Sequence, residues 1–240
     1  MRSLTSTEIV QVWEMGQERP NWQRALLLLA PCLPDHRASE LAALSLAQRN
    51  ALLFKLRGLI VGANLQGLVR CPVCAAPLEF VATVAEFLER DAVPPAGELQ
   101  VTVAGQTIPY RLPNSTDLAA AAHYLDLPEA AGTIFSRTVL GDHKTLPPEL
   151  VAQVAEAVSD EIESSYPLTD PRVALMCAAG DHVWSASLDI ASFLWSEIDR
   201  IAKRLLDEVQ VLARAYGWRE DDILTMSESR RRFYLGAIDA

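Results

Sequence analysis

What this 240-residue chain lacks narrows what it can be. It has no run of eighteen or more apolar residues, so no membrane-spanning helix is expected. Cations are in deficit: 21 Lys and Arg against 31 Asp and Glu leave a net charge of −10. A chain this acidic repels phosphate backbones, which counts against nucleic-acid binding. Its one dense basic run, Arg230-Arg231-Arg232, is expected to pair with acidic neighbours or to complement a helix end. No Gly-rich phosphate loop, nucleophile elbow or His-Glu-x-x-His helix is present. The four histidines, His36, His123, His143 and His182, fall in different segments, and His143 reads as a solvated loop residue. No catalytic constellation assembles, so an enzyme is not expected. Met1 to Gln11 lacks a basic stretch leading into an apolar one, so no secretory signal is expected. Four cysteines are too few for a disulfide scaffold and suit a reducing cytoplasm.

Two of those cysteines form a metal-type pair, Cys71-Pro72-Val73-Cys74, and a third opens Cys177-Ala178-Ala179-Gly180-Asp181-His182. The two stretches repeat one layout. Cys71 and Cys177 lie 106 positions apart, as do Phe87 and Phe193, and the same offset sets Leu78 opposite Trp184. Structural zinc takes four soft or borderline ligands, usually from two short-spaced pairs on tight turns. Two knuckles converging on one zinc account for the repeat, with Cys71, Cys74, Cys177 and His182 as ligands. Gly180 stands where the layout calls for a fourth cysteine, so His182, or else Asp181, has to complete the set. Two alternatives stay open: a site that lost its metal with that cysteine, and a redox Cys-x-x-Cys. A redox pair normally opens a helix, whereas Leu78, Phe80 and Ala82 alternate as in a strand. Cys32, between Pro31 and Pro34, has no local partner and reads as a buried thiol.

Periodicity predicts an α+β chain, mainly helical, with a small zinc-ribbon-like β core built from the two distant knuckles and a β-hairpin. Residues 1–70 read as helical, with Ser6 or Thr7 as first cap, an apolar segment from Trp22 to Leu29, and a helix from Leu41 to Ile60. Residues 71–189 read as the β core with a helical insertion. They contain a hairpin over Leu99–Val103 and Thr107–Leu112, a loop at Val93–Gly97, and a helix from Pro148 to Ser164. Leu125 to Leu140 is ambiguous. Residues 190–240 read as a long amphipathic helix, Ile190 to Tyr216, stopped by Gly217 and followed by short terminal helices.

Several of these segments carry a resemblance. Phe193 to Ile198, Leu212-Ala213-Arg214-Ala215-Tyr216-Gly217-Trp218, and Ile223 to Leu235 resemble the C-terminal end of the T-even-type phage baseplate hub assembly chaperones. Cys71 to Cys74, Arg111 to Leu118 and Cys177 to Trp184 resemble the zinc-bearing relatives found with contractile phage tails and extracellular contractile injection systems. Those relatives carry a second full Cys-x-x-Cys, from which this chain departs at Gly180. The resemblance implies a non-enzymatic chaperone or adaptor that binds a baseplate hub protein. A permanent structural baseplate component, a zinc-ribbon nucleic-acid binder and a thiol oxidoreductase are the rival expectations. Trp218, Ile223, Leu224, Phe233, Tyr234 and Leu235 are the expected partner-binding residues, because aromatic anchors dominate interface energetics. The competing expectation is that they pack internally against Val209, Leu212 and Tyr216.

Overall fold

The computed structural model describes residues 1–89, 98–141, 147–180 and 182–238. The expected loop at Val93–Gly97, His143 and Asp181 lie outside the described residues. Mainly helical, with small antiparallel sheets, the chain is of the α+β class. No described helix is long and apolar enough to cross a membrane.

The N-terminal region holds α1 (Ser6–Gly16), α2 (Asn21–Leu29), α3 (Ala38–Ala43) and α4 (Leu46–Ile60). Helix α1 is capped by Thr5, one residue before the expected position. The Thr5 hydroxyl accepts from the Glu8 N–H while the Glu8 carboxylate accepts from the Thr5 N–H, a reciprocal capping box. The helix expected from Leu41 to Ile60 is in fact two. Ser45 leaves helical geometry, caps α4 in a second capping box with Gln48, and bridges to Asn114. The leucine pattern hides this break because Leu41 is buried in α3 and Leu46, Leu53 and Leu56 in α4, on both sides of it.

Three hairpins follow among the described residues. β1 (Asn64–Arg70) pairs with β2 (Pro77–Thr83), which runs straight into α5 (Val84–Leu88). β3 (Leu99–Val103) pairs with β4 (Gln106–Tyr110) across a turn in which Ala104 and Gly105 both have positive φ, the geometry a two-residue hairpin favours. This second hairpin packs on α8 (Pro148–Ser165) through a small core of Tyr110, Val139, Val154 and Val158. Between them lie α6 (Ser115–Ala121) and α7 (Leu127–Thr138), the latter resolving the ambiguous Leu125–Leu140 stretch as helix. Asp117 ties this part together. It is fully buried, accepts from Arg111 at 2.7 and 2.8 Å and from Arg137 at 2.8 Å, and closes the α6 capping box by accepting from the Asn114 N–H.

The third hairpin, β5 (Arg172–Met176) with β6 (Val183–Ser187), leads into α9 (Ile190–Tyr216). Helix α9 has the predicted bounds and ends where Gly217 turns left-handed, φ 71°. α10 (Glu220–Thr225) and α11 (Glu228–Ile238) fold back along it. The main core gathers α1, α2, α4 and α9 around Leu28, Leu53, Phe54, Leu194 and Ile198. Close approach of α1 to α9 needs Gly16, because a Cβ there would stand 2.2 Å from the Trp195 ring. Across the core, Arg57 of α4 meets Glu197 of α9 in a two-pronged ion pair, at 2.9 and 3.1 Å, with both side chains buried.

Candidate metal centre

The 106-residue repeat of the sequence is a repeat of structure. In the first unit Val69 pairs with Leu78, and in the second Leu175 pairs with Trp184. The backbone N–H of Cys71 donates to Ala76 O, and that of Cys177 to His182 O, both at 2.9 Å. The helices begin at matching positions too, Val84 and Ile190, after the side-chain caps Thr83 and Asp189. Each unit is thus a hairpin with a knuckle at its tip and a helix behind it. Helix α4 touches both units: Phe54 stacks on Phe87 at 4.5 Å, and the Arg57 guanidinium lies 5.8 Å from the centre of the Phe193 ring.

The tips meet. The sulfurs of Cys71, Cys74 and Cys177 all lie within 4.8 Å of one another, and Cys74 Sγ stands 3.5 Å from Cys177 Sγ. All three are free thiols, and 3.5 Å is far beyond the roughly 2.05 Å of a disulfide. The separation is close to the roughly 3.8 Å expected of two sulfurs each about 2.3 Å from one tetrahedral ion. Cys71 and Cys177 are buried, whereas Cys74 is exposed at the rim. The first knuckle is built to favour thiolate at Cys71. Its sulfur accepts from the backbone N–H groups of Cys74 and Val73, which hold its pKa below the ordinary thiol value. At Cys74 the Ala76 N–H works in the same direction, but the adjoining Cys177 and Cys71 thiols outweigh it and raise the pKa. Two neighbouring thiolates resist forming together unless a cation neutralises them. These three cysteines could hold a metal ion.

His182 ends the second knuckle, but its ring nitrogens do not join the 4.8 Å cluster. The ring stacks on Trp184 with centroids 5.4 Å apart, and its Nε2 is buried without a hydrogen-bond partner. Such a nitrogen is costly to bury unpaired, and it sits five residues after a cysteine of the cluster. Cys32 stands apart, buried in the core. Burial pushes its thiol up to about 11, and it donates to Leu28 O at 3.4 Å, as the structural reading expects.

The expected partner-binding residues divide. Ile223 and Leu224 are buried in the main core, with α10 packed on α1 and α9. Trp218, Tyr234 and Leu235 are half-buried, and Phe233 is 72% exposed. Trp218 stacks on Tyr216 at 4.5 Å, and Tyr234 meets both edge-on. Internal packing therefore accounts for Ile223 and Leu224 and for one side of the aromatic group. Two residues of the basic run pair with acids as expected, Arg231 buried against Glu208 at 2.7 Å and Arg232 with Glu228, whereas Arg230 lies over the Tyr234 ring.

Sequence reasoning missed β1, whose Gly67 sits under the Phe80 ring; it reads Leu112 to Leu118 as a helix cap, which Asn114 and Asp117 form, but not the ion pairs of Asp117 with Arg111 and Arg137. Comparison with protein-family models, with curated proteins and with solved structures finds no match.

Proposed function

We propose that this chain is a non-enzymatic assembly factor, a chaperone or adaptor for the baseplate hub of a contractile phage tail or injection machine, acting in the cytoplasm. The reading rests on the C-terminal resemblance, and one structural observation carries it further. Tyr216, Trp218, Phe233 and Tyr234 form a contiguous aromatic group where α11 folds back on the end of α9, and Phe233 projects into solvent. Exposed aromatics braced by one another are suited to anchoring a partner, because little side-chain freedom is lost on binding. The net charge of −10 keeps such a protein soluble while it masks an apolar client surface.

In this reading the ion held by Cys71, Cys74 and Cys177 is zinc, with His182 as the fourth ligand after its ring turns toward the cluster. Zinc would tie two segments 106 residues apart and contribute folding free energy. A closed four-ligand site leaves no position for substrate, consistent with a structural role.

The test is quantitative mass spectrometry of purified, fully assembled particles from the source organism, together with particle yield from a deletion strain. Absence from mature particles with loss of baseplates on deletion supports an assembly factor. A fixed symmetric copy number in the particle would make it a building block and overturn the chaperone reading.

A further inference from the structure

Three arginines of the described chain are buried: Arg49, Arg57 and Arg231, at 5%, 2% and 3% exposure. Arg57 has Glu197 and Arg231 has Glu208. Arg49, on α4, has no carboxylate within ion-pairing distance among the described residues. Its Nε and Nη2 donate to Asn50 Oδ1 at 3.2 and 2.9 Å, and its Nη1 reaches Ser115 Oγ only at 3.4 Å. A guanidinium has five N–H donors, so two are left over. Burial pushes this guanidinium down to about 10, against a weaker opposing pull from Asp189. A buried cation left in this state is costly unless something anionic meets it.

A cavity of about 200 Å³ lies against Arg49, walled also by Asn50, Trp22, Thr169, Asp170 and Asp189. That is well above the roughly 30 Å³ share of one water molecule. Trp22 Nε1 and Thr169 Oγ1 are buried with no hydrogen-bond partner, and both residues belong to this wall. Of the three buried side-chain polar atoms without partners among the described residues, two therefore stand around one cavity, beside the one buried arginine without a counter-ion.

The two wall carboxylates are already engaged. Asp189 caps α9, accepting from the Ala191 and Ser192 N–H groups, the Ser192 hydroxyl and Asn21 Nδ2. Asp170 accepts from the Ser187 hydroxyl and lies 3.7 Å from Arg172. Neither lies within ion-pairing distance of Arg49, and the pull of Asp189 is weaker than the burial it opposes, but together they decide the charge of what can join it, since a dianion would face two fixed negative groups. We propose that the cavity beside Arg49 is a binding site for a small monocarboxylate, held by the free guanidinium N–H groups, with the Trp22 indole N–H and the Thr169 hydroxyl as further donors. A planar carboxylate matches the guanidinium fork, and its remaining lone pairs suit two more donors. This site lies away from the thiol cluster and does not depend on the assembly role.

The test uses the full chain and acetate as probe, at neutral pH and constant ionic strength against chloride. Saturation transfer from protein to the acetate methyl is expected and should be displaced by propionate. The thermal midpoint should rise by about 2–5 °C in 100 mM acetate. Arg49→Met should abolish both responses. Trp22→Phe keeps the charge and removes one donor, so it should weaken acetate binding about 2- to 10-fold. It decides the matter if Arg49→Met does not fold. No transfer to acetate would mean that the cavity holds only water, and a response unchanged in Trp22→Phe would mean that acetate binds elsewhere; either would overturn the proposal. Phosphate binding as tightly as acetate would overturn the monocarboxylate assignment.

Discussion

Glu197→Ala is the most informative single change for the framework that positions the thiol cluster. Glu197 accepts both prongs of Arg57 at 2.9 and 3.1 Å, and the two side chains are 8% and 3% exposed. Arg57 also donates to Gly62 O at 2.7 Å, where the chain leaves α4 for the first knuckle unit. Truncating Glu197 strands a buried guanidinium with one remaining partner. Breaking such a pair costs about 3–5 kcal/mol, which corresponds to roughly 6–20 °C in thermal midpoint for a chain of this size. The double variant Arg57→Met with Glu197→Leu removes both charges and leaves only the Gly62 carbonyl short of a donor. It should therefore recover about 2 kcal/mol or more of the loss. Urea unfolding gives both numbers, provided the slope with denaturant is unchanged. A loss below about 1 kcal/mol for the single variant, or a double variant no better than the single, would refute the reasoning.

Three further outcomes follow from the same geometry. Cys177→Ala should lower metal content and thermal stability together, since it removes the only thiol that the second knuckle supplies; full stability in a metal-free wild type would contradict this. Phe233→Ala should change stability by no more than about 0.5 kcal/mol, because the ring is mostly in solvent, yet cut the yield of assembled particles. Glu8 accepts from the Arg2 guanidinium and from the Thr5 N–H and hydroxyl, and the Arg2 contact leads in holding its carboxyl down at about 2 instead of 4.5. Its contribution is fully present above pH 4.5 and is lost as pH falls toward 2, so the stability gap between wild type and Glu8→Gln should close across that window. A gap that stays constant from pH 6 to pH 2 would show that the ionised carboxylate is not what stabilises α1.

Much of the site was legible because its geometry is local. A thiol pair two residues apart, a strand beyond it and a helix start at fixed offset are all encoded within some twenty residues, and the 106-residue repeat transfers the pattern to Cys177. Helix α9 was legible for a similar reason, with a strict apolar stripe and a glycine stop. The break at Ser45 was not, since leucines on both sides bury equally and only the Ser45–Gln48 cap marks it. Partner residues were the least legible. Ile223 and Phe233 are both large and apolar, and only tertiary packing distinguishes the fully buried one from the exposed one. Likewise, nothing around Arg49 in sequence reveals that it shares a cavity wall with Trp22 and Thr169, contributed from α2 and from the segment before β5.

The most direct test of the central claim, that two knuckles 106 residues apart close on one structural zinc, is X-ray absorption spectroscopy at the zinc edge. It should be made on chain purified under reducing conditions with zinc supplied. One zinc per chain is expected, with three sulfur neighbours and one nitrogen, the three sulfurs being those of Cys71, Cys74 and Cys177. A protein that takes up no zinc, or a zinc with fewer than three sulfur neighbours, would contradict it.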